Sequence, residues 1–252
     1  MANYSQNLTQ ALVWYLEPES IEDAKTCDSL MRWLSDEERA RMQRFHASRH
    51  RHAYLVSHAL VRGALARELG CDPGSLVFET NAFGKPQLVQ PMSTPRLEFN
   101  LSHTDGLCVV ALSWHSRLGC DVEHLNRSGL DVEIARQFFT TEESEEIATH
   151  PSEQQIPRLL SYWTLKEAYI KAEGKGLSMG LDTFYFSLDR DSPRLVLKHD
   201  AQQPSASWQF RQVILRDRFL FSLAIARAEG ITQSKEAMVE FKQADWIAHS
   251  LR

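Results

Sequence analysis

Asp105-Gly106-Leu107-Cys108-Val109-Val110-Ala111-Leu112 is echoed in Asp217-Arg218-Phe219-Leu220-Phe221-Ser222-Leu223-Ala224. Each stretch is a turn followed by an apolar run of strand length, the pattern of a strand buried on both faces. What precedes the two runs is also alike. A long helical pattern from about His50 to Leu69 carries Tyr54, Leu55, Ala59, Leu60, Leu65 and Leu69 on one side and stops at Gly70. A second runs from Arg158 to Glu173 and stops at Gly174, glycine being the usual helix terminator. After each helix comes a strand and then a pair of strands. The offset, roughly 110 residues, is too long for a solenoid repeat. An α+β fold built by pseudo-two-fold duplication is the simplest reading, with a cleft between the halves where a ligand would sit.

Outward from these anchors, Ala11 to Leu16 reads as a strand. Ser35 with Glu38 three residues on is a capping box and starts a helix. Leu76 to Glu79 is a strand, Phe83-Gly84-Lys85-Pro86 a turn, and Leu97 to Leu101 a strand ending in Ser102-His103. Gly119 to Glu123 is another strand. Val132 to Phe139 is helical, and Thr140 or Thr141 caps a further helix. Thr183 to Leu188, Trp208 to Leu215 and Arg218 to Ala226 are strands, with a polar loop over 202–207. The expected halves are 1–115 and 116–230, with an extension over 231–252.

A chain of 252 residues, 43% hydrophobic and 24% charged, can build a sizeable core. A net charge of -5 argues against nucleic acid as the general partner, so any anion site is a local patch. No basic stretch precedes an apolar run near the start, and no run of about 18 apolar residues exists, so neither a signal peptide nor a membrane span is expected. Cys27, Cys71, Cys108 and Cys120 form no CxxC pair. They read as reduced thiols of a cytoplasmic protein. The Asn7-Leu8-Thr9 sequon is then a chance match.

Three groups of residues could carry chemistry. In Gly119-Cys120-Asp121-Val122-Glu123, strand alternation puts Asp121 and Glu123 on one face. Two carboxylates so placed either face water or share a hard cation such as Mg²⁺. In Trp163-Thr164-Leu165-Lys166-Glu167-Ala168-Tyr169-Ile170-Lys171, Glu167 and Lys171 lie one turn apart. That is a surface ion pair or, on a helix as apolar as this one, a proton acceptor beside a phosphate binder. Arg39, Arg41, Arg44, Arg49 and Arg51, with Lys85, Asn100, Ser102 and His103, supply phosphate-seeking groups. His46, His50, His52 and His58 read as solvated helix residues. Ser102 and His103 point to opposite faces of a strand and cannot act as nucleophile and base together. Gly174-Lys175-Gly176 lacks the spacing of a P-loop.

Gly119 to Glu123, followed some forty residues later by Trp163 to Lys171, resembles the paired signature of the 4′-phosphopantetheinyl transferases. Arg41-Met42-Gln43-Arg44-Phe45, Phe83-Gly84-Lys85-Pro86 and Phe99-Asn100-Leu101-Ser102-His103 fit the larger, Sfp-type (surfactin-synthetase-activating) branch, in the right order over roughly residues 35 to 190. The resemblance implies a duplication of a transferase-like unit with the active site at the interface of the halves. It implies a monomer that moves the phosphopantetheine arm of coenzyme A onto a serine of an acyl or peptidyl carrier protein, releasing 3′,5′-ADP.

The same resemblance implies that Asp121, Glu123 and Glu167 hold Mg²⁺, that Glu167 is also the base, and that Lys171 steadies the diphosphate. Arg41, Lys85, Ser102 and His103 would hold the phosphates of coenzyme A, with Arg44 and Asn100 as further members. Cys120 stands where the family has Val or Ile, and a buried cysteine substitutes well as a small hydrophobe. Thr80 stands where some relatives carry an arginine. The segment from Asn126 to Phe139 follows the metal strand and is the expected place for carrier docking. Two other functions use the same residues: a metal-dependent phosphoesterase acting on a nucleotide pyrophosphate, and a non-catalytic binder of coenzyme A or carrier.

Overall fold

A computed structural model describes residues 10–188, 193–197, 207–226 and 238–249. Asn7 and the loop expected over 202–206 lie outside them. The elements follow in the order β1 (Gln10–Leu16), α1 (Ala24–Trp33), α2 (Asp36–Gln43), α3 (Ser48–Leu69), β2 (Val77–Thr80), β3 (Pro86–Gln90), β4 (Glu98–Thr104), β5 (Leu107–Ser113) and β6 (Leu118–His124). Then come α4 (Glu133–Phe138), α5 (Thr141–Thr149), α6 (Ser152–Glu173), β7 (Phe184–Ser187), β8 (Arg194–Leu197), β9 (Trp208–Leu215), β10 (Phe219–Ala226), β11 (Met238–Gln243) and α7 (Trp246–His249). No helix among the described residues is long and apolar enough to cross a membrane.

The strands form a four-stranded sheet in the order β11-β1-β5-β4, a three-stranded sheet in the order β6-β10-β9, and the ribbons β2-β3 and β7-β8. Alternation along β5 assigns its faces. Cys108, Val110 and Leu112 pack toward α3 residues such as Leu55, Leu60 and Leu65. Leu107, Val109 and Ala111 pack against Cys120, Val122, Phe219, Phe221 and Leu223 of the second sheet. The other face of that sheet supports α6, whose Leu165, Ala168 and Tyr169 join a third core with Phe184, Phe186 and Phe210. Burying one such side chain is worth about 1.5–3 kcal/mol, against about 1 kcal/mol for a typical hydrogen bond. Apolar layers therefore hold the sheets together, and polar contacts fix their register.

Several boundaries obey local rules. Ser35 and Thr140 both complete capping boxes, with Glu38 and Glu143. Gly70 and Gly174 end the two 22-residue helices in left-handed geometry. Other boundaries moved. The second long helix starts at Ser152 rather than Arg158, so Pro157 lies inside it. A proline costs one helical hydrogen bond, which the burial of Leu159, Leu160 and Tyr162 outweighs. The turn at Phe83 to Pro86 is the loop of a ribbon, because β3 follows it. The helix α1, capped by Asp23, and the late elements β8, β11 and α7 were not anticipated. The strand β11 runs parallel to β1, so the extension over 231–252 returns to the first sheet.

Candidate active site

Gly119 is where α6 comes down on β6. A Cβ at this position would lie 2.3 Å from the Ala168 carbonyl oxygen and from the Ala172 nitrogen, so only a hydrogen fits. Glu167 and Lys171, the residues before those two, are thereby brought over the strand. On β6 the alternation holds: Cys120 and Val122 enter the inter-sheet core, while Asp121 and Glu123 turn to the same side as Gly119.

Opposite them, β4 runs alongside β6 through its side chains. Asn100 Oδ1 accepts from the Cys120 amide at 2.8 Å, and Ser102 Oγ accepts from the Val122 amide at 3.2 Å. Thr104 Oγ1 donates to Glu123 Oε2 at 3.2 Å. The seam between the two larger sheets is thus stitched by polar side chains that stand in for a backbone ladder. Ser102 Oγ also donates to Asp121 Oδ1 at 2.9 Å. Lys171 Nζ donates to the same carboxylate oxygen at 2.6 Å and to Ser102 Oγ at 3.2 Å. A strand from each sheet and one helix meet at this point.

The charges there are strained by their neighbours. Burial, and then the negative charge of Asp121, push the Glu167 carboxyl above its ordinary value, and Lys171 and Arg127 offset only part of this. Burial and Asp121 likewise raise Glu123, although Arg127 pairs with it. Burial disfavours the Lys171 ammonium, but Asp121 outweighs burial and holds its pKa up. The second oxygen of Asp121, Oδ2, is buried without a hydrogen-bond partner. An orphaned carboxylate oxygen beside two carboxyls that resist ionising is a donor set suited to a hard cation. As they stand, no three His, Cys, Asp or Glu side chains among the described residues are grouped to hold an ion, and Lys171 is the cation against Asp121.

The residues expected from the sequence to bind phosphate lie at several places. His103 follows Ser102 on β4 and is exposed. Part of its ring still faces the surrounding protein, so partial loss of hydration, then the charges of Lys171 and His58, lower its pKa against the pull of Asp121. Lys85 reaches in from the β2-β3 loop, and its ammonium donates to the Leu118 and Ala172 carbonyls at 3.0 and 3.3 Å. Asn100 is buried in the seam. Arg41 and Arg44 are exposed at the end of α2, where the charge of Arg41 acts on Tyr54. The reading of the four histidines as solvated helix residues needs correction: His46 lies between α2 and α3, His52 Nε2 is 2.9 Å from the Pro18 carbonyl oxygen, and the largest departure is His58. It is half-buried, 3.2 Å from Glu38 Oε1, and stacked on Tyr54 with ring centroids 3.9 Å apart, because its face of α3 turns toward α2.

Residues 117–224 match the sequence profile of the 4′-phosphopantetheinyl transferase superfamily, and residues 22–115 that of the 4′-phosphopantetheinyl transferase N-terminal region. The 4′-phosphopantetheinyl transferase HetI of Nostoc sp. is 31% identical over 193 residues, 77% of this chain and 78% of that protein. The chain belongs to the 4′-phosphopantetheinyl transferase superfamily. The 4′-phosphopantetheinyl transferase Sfp of Bacillus subtilis is 30% identical over 177 residues, 70% of this chain and 76% of its own length, which puts the transferase in the Sfp-type branch. A solved structure, the holo-[acyl-carrier-protein] synthase of Thermotoga maritima, aligns over 44% of this chain and 63% of its own, at 20% identity and a TM-score of 0.37, too faint a likeness to carry weight.

As a 4′-phosphopantetheinyl transferase, the protein transfers phosphopantetheine from coenzyme A to carrier proteins. Two features of the candidate site escaped the sequence. Thr104 and Arg127 complete the surroundings of Glu123, and strand alternation from Ser102 could have pointed to Thr104. Lys166 is fully buried against Glu143 at 2.7 Å and donates to the Leu181 and Phe184 carbonyls at 2.7 Å each. It anchors α6 to α5 and to the start of β7, and nothing in its spacing announced a partner on α5.

Proposed function

We propose that the transfer takes place at the seam of two duplicated α+β halves, 1–115 and 116–230, over a Mg²⁺ held by Asp121, Glu123 and Glu167. The duplication is supported by element order. Each half runs strand, long helix ending in a left-handed glycine, two-stranded ribbon, hairpin. In both sheets the second hairpin strand is central, as β1-β5-β4 and β6-β10-β9. The observation that carries the metal reading is Asp121. One oxygen is gripped by Lys171 and Ser102, the other is buried with no partner, and Glu123 and Glu167 both titrate high beside it.

Ser102, His103, Lys85, Arg41 and Arg44 are the groups that would bind the phosphates of coenzyme A, with Asn100 buried behind them. Lys85 has two of its three donors on carbonyls, which leaves one for a phosphate. Asn100 contributes by holding β4 against β6. Glu167, its carboxyl raised, takes the proton of the carrier serine. The serine oxygen forms a bond to the β-phosphorus, the bond from that phosphorus to the bridging oxygen breaks, and 3′,5′-ADP leaves with the electron pair. Lys171 meets the charge that builds on the diphosphate. A bound Mg²⁺ would supply further charge neutralisation there. Such transfers depend on positioning and electrostatics more than on covalent help.

The carrier is an acyl or peptidyl carrier domain, and the segment from Asn126 to Phe139, which carries the exposed Phe138, is the proposed docking surface. The protein is proposed to be cytoplasmic and monomeric; its four cysteines, all free thiols, fit a reducing compartment and do not bear on its oligomeric state. Incubation of apo-carriers with the protein, coenzyme A and Mg²⁺, followed by intact-mass measurement, tests the function. A carrier heavier by one phosphopantetheine, dependent on Mg²⁺, is the expected result. Phosphopantetheine released free in solution would instead favour a phosphoesterase.

A further inference from the structure

The β2-β3 loop lies across the C-terminal end of α6, the helix that carries Glu167 and Lys171. Asn81 uses its whole amide there. Its Oδ1 accepts from the Phe83 and Lys85 amides, at 2.9 Å each, and so shapes the loop. Its Nδ2 donates to the Gly174 carbonyl at 2.9 Å. Lys85, held by the same loop, donates to the Ala172 carbonyl two residues back and to the Leu118 carbonyl at the start of β6. The last carbonyls of a helix lack partners within it and favour a cation nearby. The loop supplies both needs from the other half of the chain.

The fit at Gly174 is an independent sign that the contact is built. A Cβ there would come 3.1 Å from Lys85 Cδ and 3.2 Å from Asn81 Nδ2. The positive φ of 70° that ends the helix favours glycine, and the closeness of the loop adds to this, since a Cβ would push the Lys85 and Asn81 side chains back by a few tenths of an ångström. Gly174 lies three positions after Lys171, and Ala172 is one of the two residues against which Gly119 packs. The loop thus grips α6 at the level where the helix meets the metal strand.

We propose that Asn81 is a positioning residue for transfer: by tying the β2-β3 loop to the end of α6, it sets where Glu167 and Lys171 stand over Asp121. This rests on the reading of Glu167 and Lys171 as the working groups. The two functions of the amide separate by substitution. Asn81→Asp keeps an oxygen acceptor for the Phe83 and Lys85 amides and loses the donor to Gly174. Asn81→Ala loses both. Small displacements of reacting groups cost up to about 10²-fold in rate.

The test measures kcat and KM for coenzyme A, with melting temperature, for Asn81→Asp, Asn81→Ala, Glu167→Gln and Lys171→Ala. The expected result is a kcat roughly 10-fold or more lower for Asn81→Asp, with KM for coenzyme A within about twofold. For Asn81→Ala both parameters should change, because the Lys85 loop is released as well. If Asn81→Asp melts markedly early, Asn81→Ser carries the test, since its short hydroxyl still serves the turn and cannot reach Gly174. Wild-type kcat in the variant that keeps its fold, or a loss confined to KM, overturns the inference when Glu167→Gln and Lys171→Ala are inactive. Activity in those two controls would instead overturn the reading on which it rests.

Discussion

Lys171 on α6 and Asp121 on β6 are joined at 2.6 Å, with Ser102 of β4 bonded to both. The triangle couples α6, β6 and the neighbouring sheet. Replacing Lys171 by Ala leaves a mostly buried carboxylate with one donor fewer. The cost of an unmet buried charge-assisted bond is about 1–3 kcal/mol, so denaturant midpoints should fall measurably. Turnover should fall further than stability explains, with carrier binding retained. An unchanged rate would make the lysine structural only.

Glu167→Gln removes the proton acceptor and keeps the shape. General-base help is worth about 10²- to 10⁴-fold, and turnover should drop by that factor. Because burial and Asp121 both resist the Glu167 charge, the neutral glutamine should not lower the melting temperature. Wild-type turnover would remove Glu167 from the role of base.

Gly119→Ala tests the close approach directly. The added Cβ would sit at 2.3 Å from backbone atoms of α6, which cannot move without shifting Glu167 and Lys171. Overpacking of this kind costs about 1–3 kcal/mol. A lower melting temperature together with near-complete loss of transfer is expected. A stable, active variant would show that the helix does not bear on the strand here.

Glu38 governs an acid limb of stability. Burial opposes its charge, but hydrogen bonds from His58, the Ser35 amide and Arg62 prevail and hold its pKa at about 2 against an ordinary 4.5. A depressed carboxylate pKa stabilises the fold above the unfolded value and loses that contribution as pH falls toward the folded one. The loss, on the order of 3 kcal/mol, should therefore appear between about pH 4.5 and pH 2. Urea denaturation of Glu38→Gln should show a flatter dependence across that window than the parent. Parallel curves would show that other carboxylates set the acid limb.

Much of the fold was legible because its signals are local. Ser35 and Thr140 state their caps with Glu38 and Glu143, and Gly70 and Gly174 state their helix ends. Periodicity paired Asp121 with Glu123 on a strand and Glu167 with Lys171 on a helix, and only the family resemblance joined the two pairs. What stayed hidden depends on contacts far apart in sequence. Pro157 reads as a boundary until the burial of the residues after it is known. The parallel pairing of β11 with β1 joins the two ends of the chain and leaves no local mark. Lys85 and Asn100 carry the residue types of phosphate binders, yet their polar atoms are engaged by Leu118, Ala172 and Cys120. A side chain's chemistry is written in the sequence, but its partner is chosen by the packing.

The most direct test of the carboxylate cluster is the intact mass of an apo-carrier after incubation with coenzyme A and either Mg²⁺ or a chelator, using the parent protein and Asp121→Asn. Asparagine keeps the size of Asp121 and removes the charge that raises Glu123 and Glu167. The parent should convert the carrier only with Mg²⁺, and Asp121→Asn should leave it unmodified while still folded. Full conversion by Asp121→Asn, or by the parent with the metal stripped, would contradict a cation-centred site at the seam.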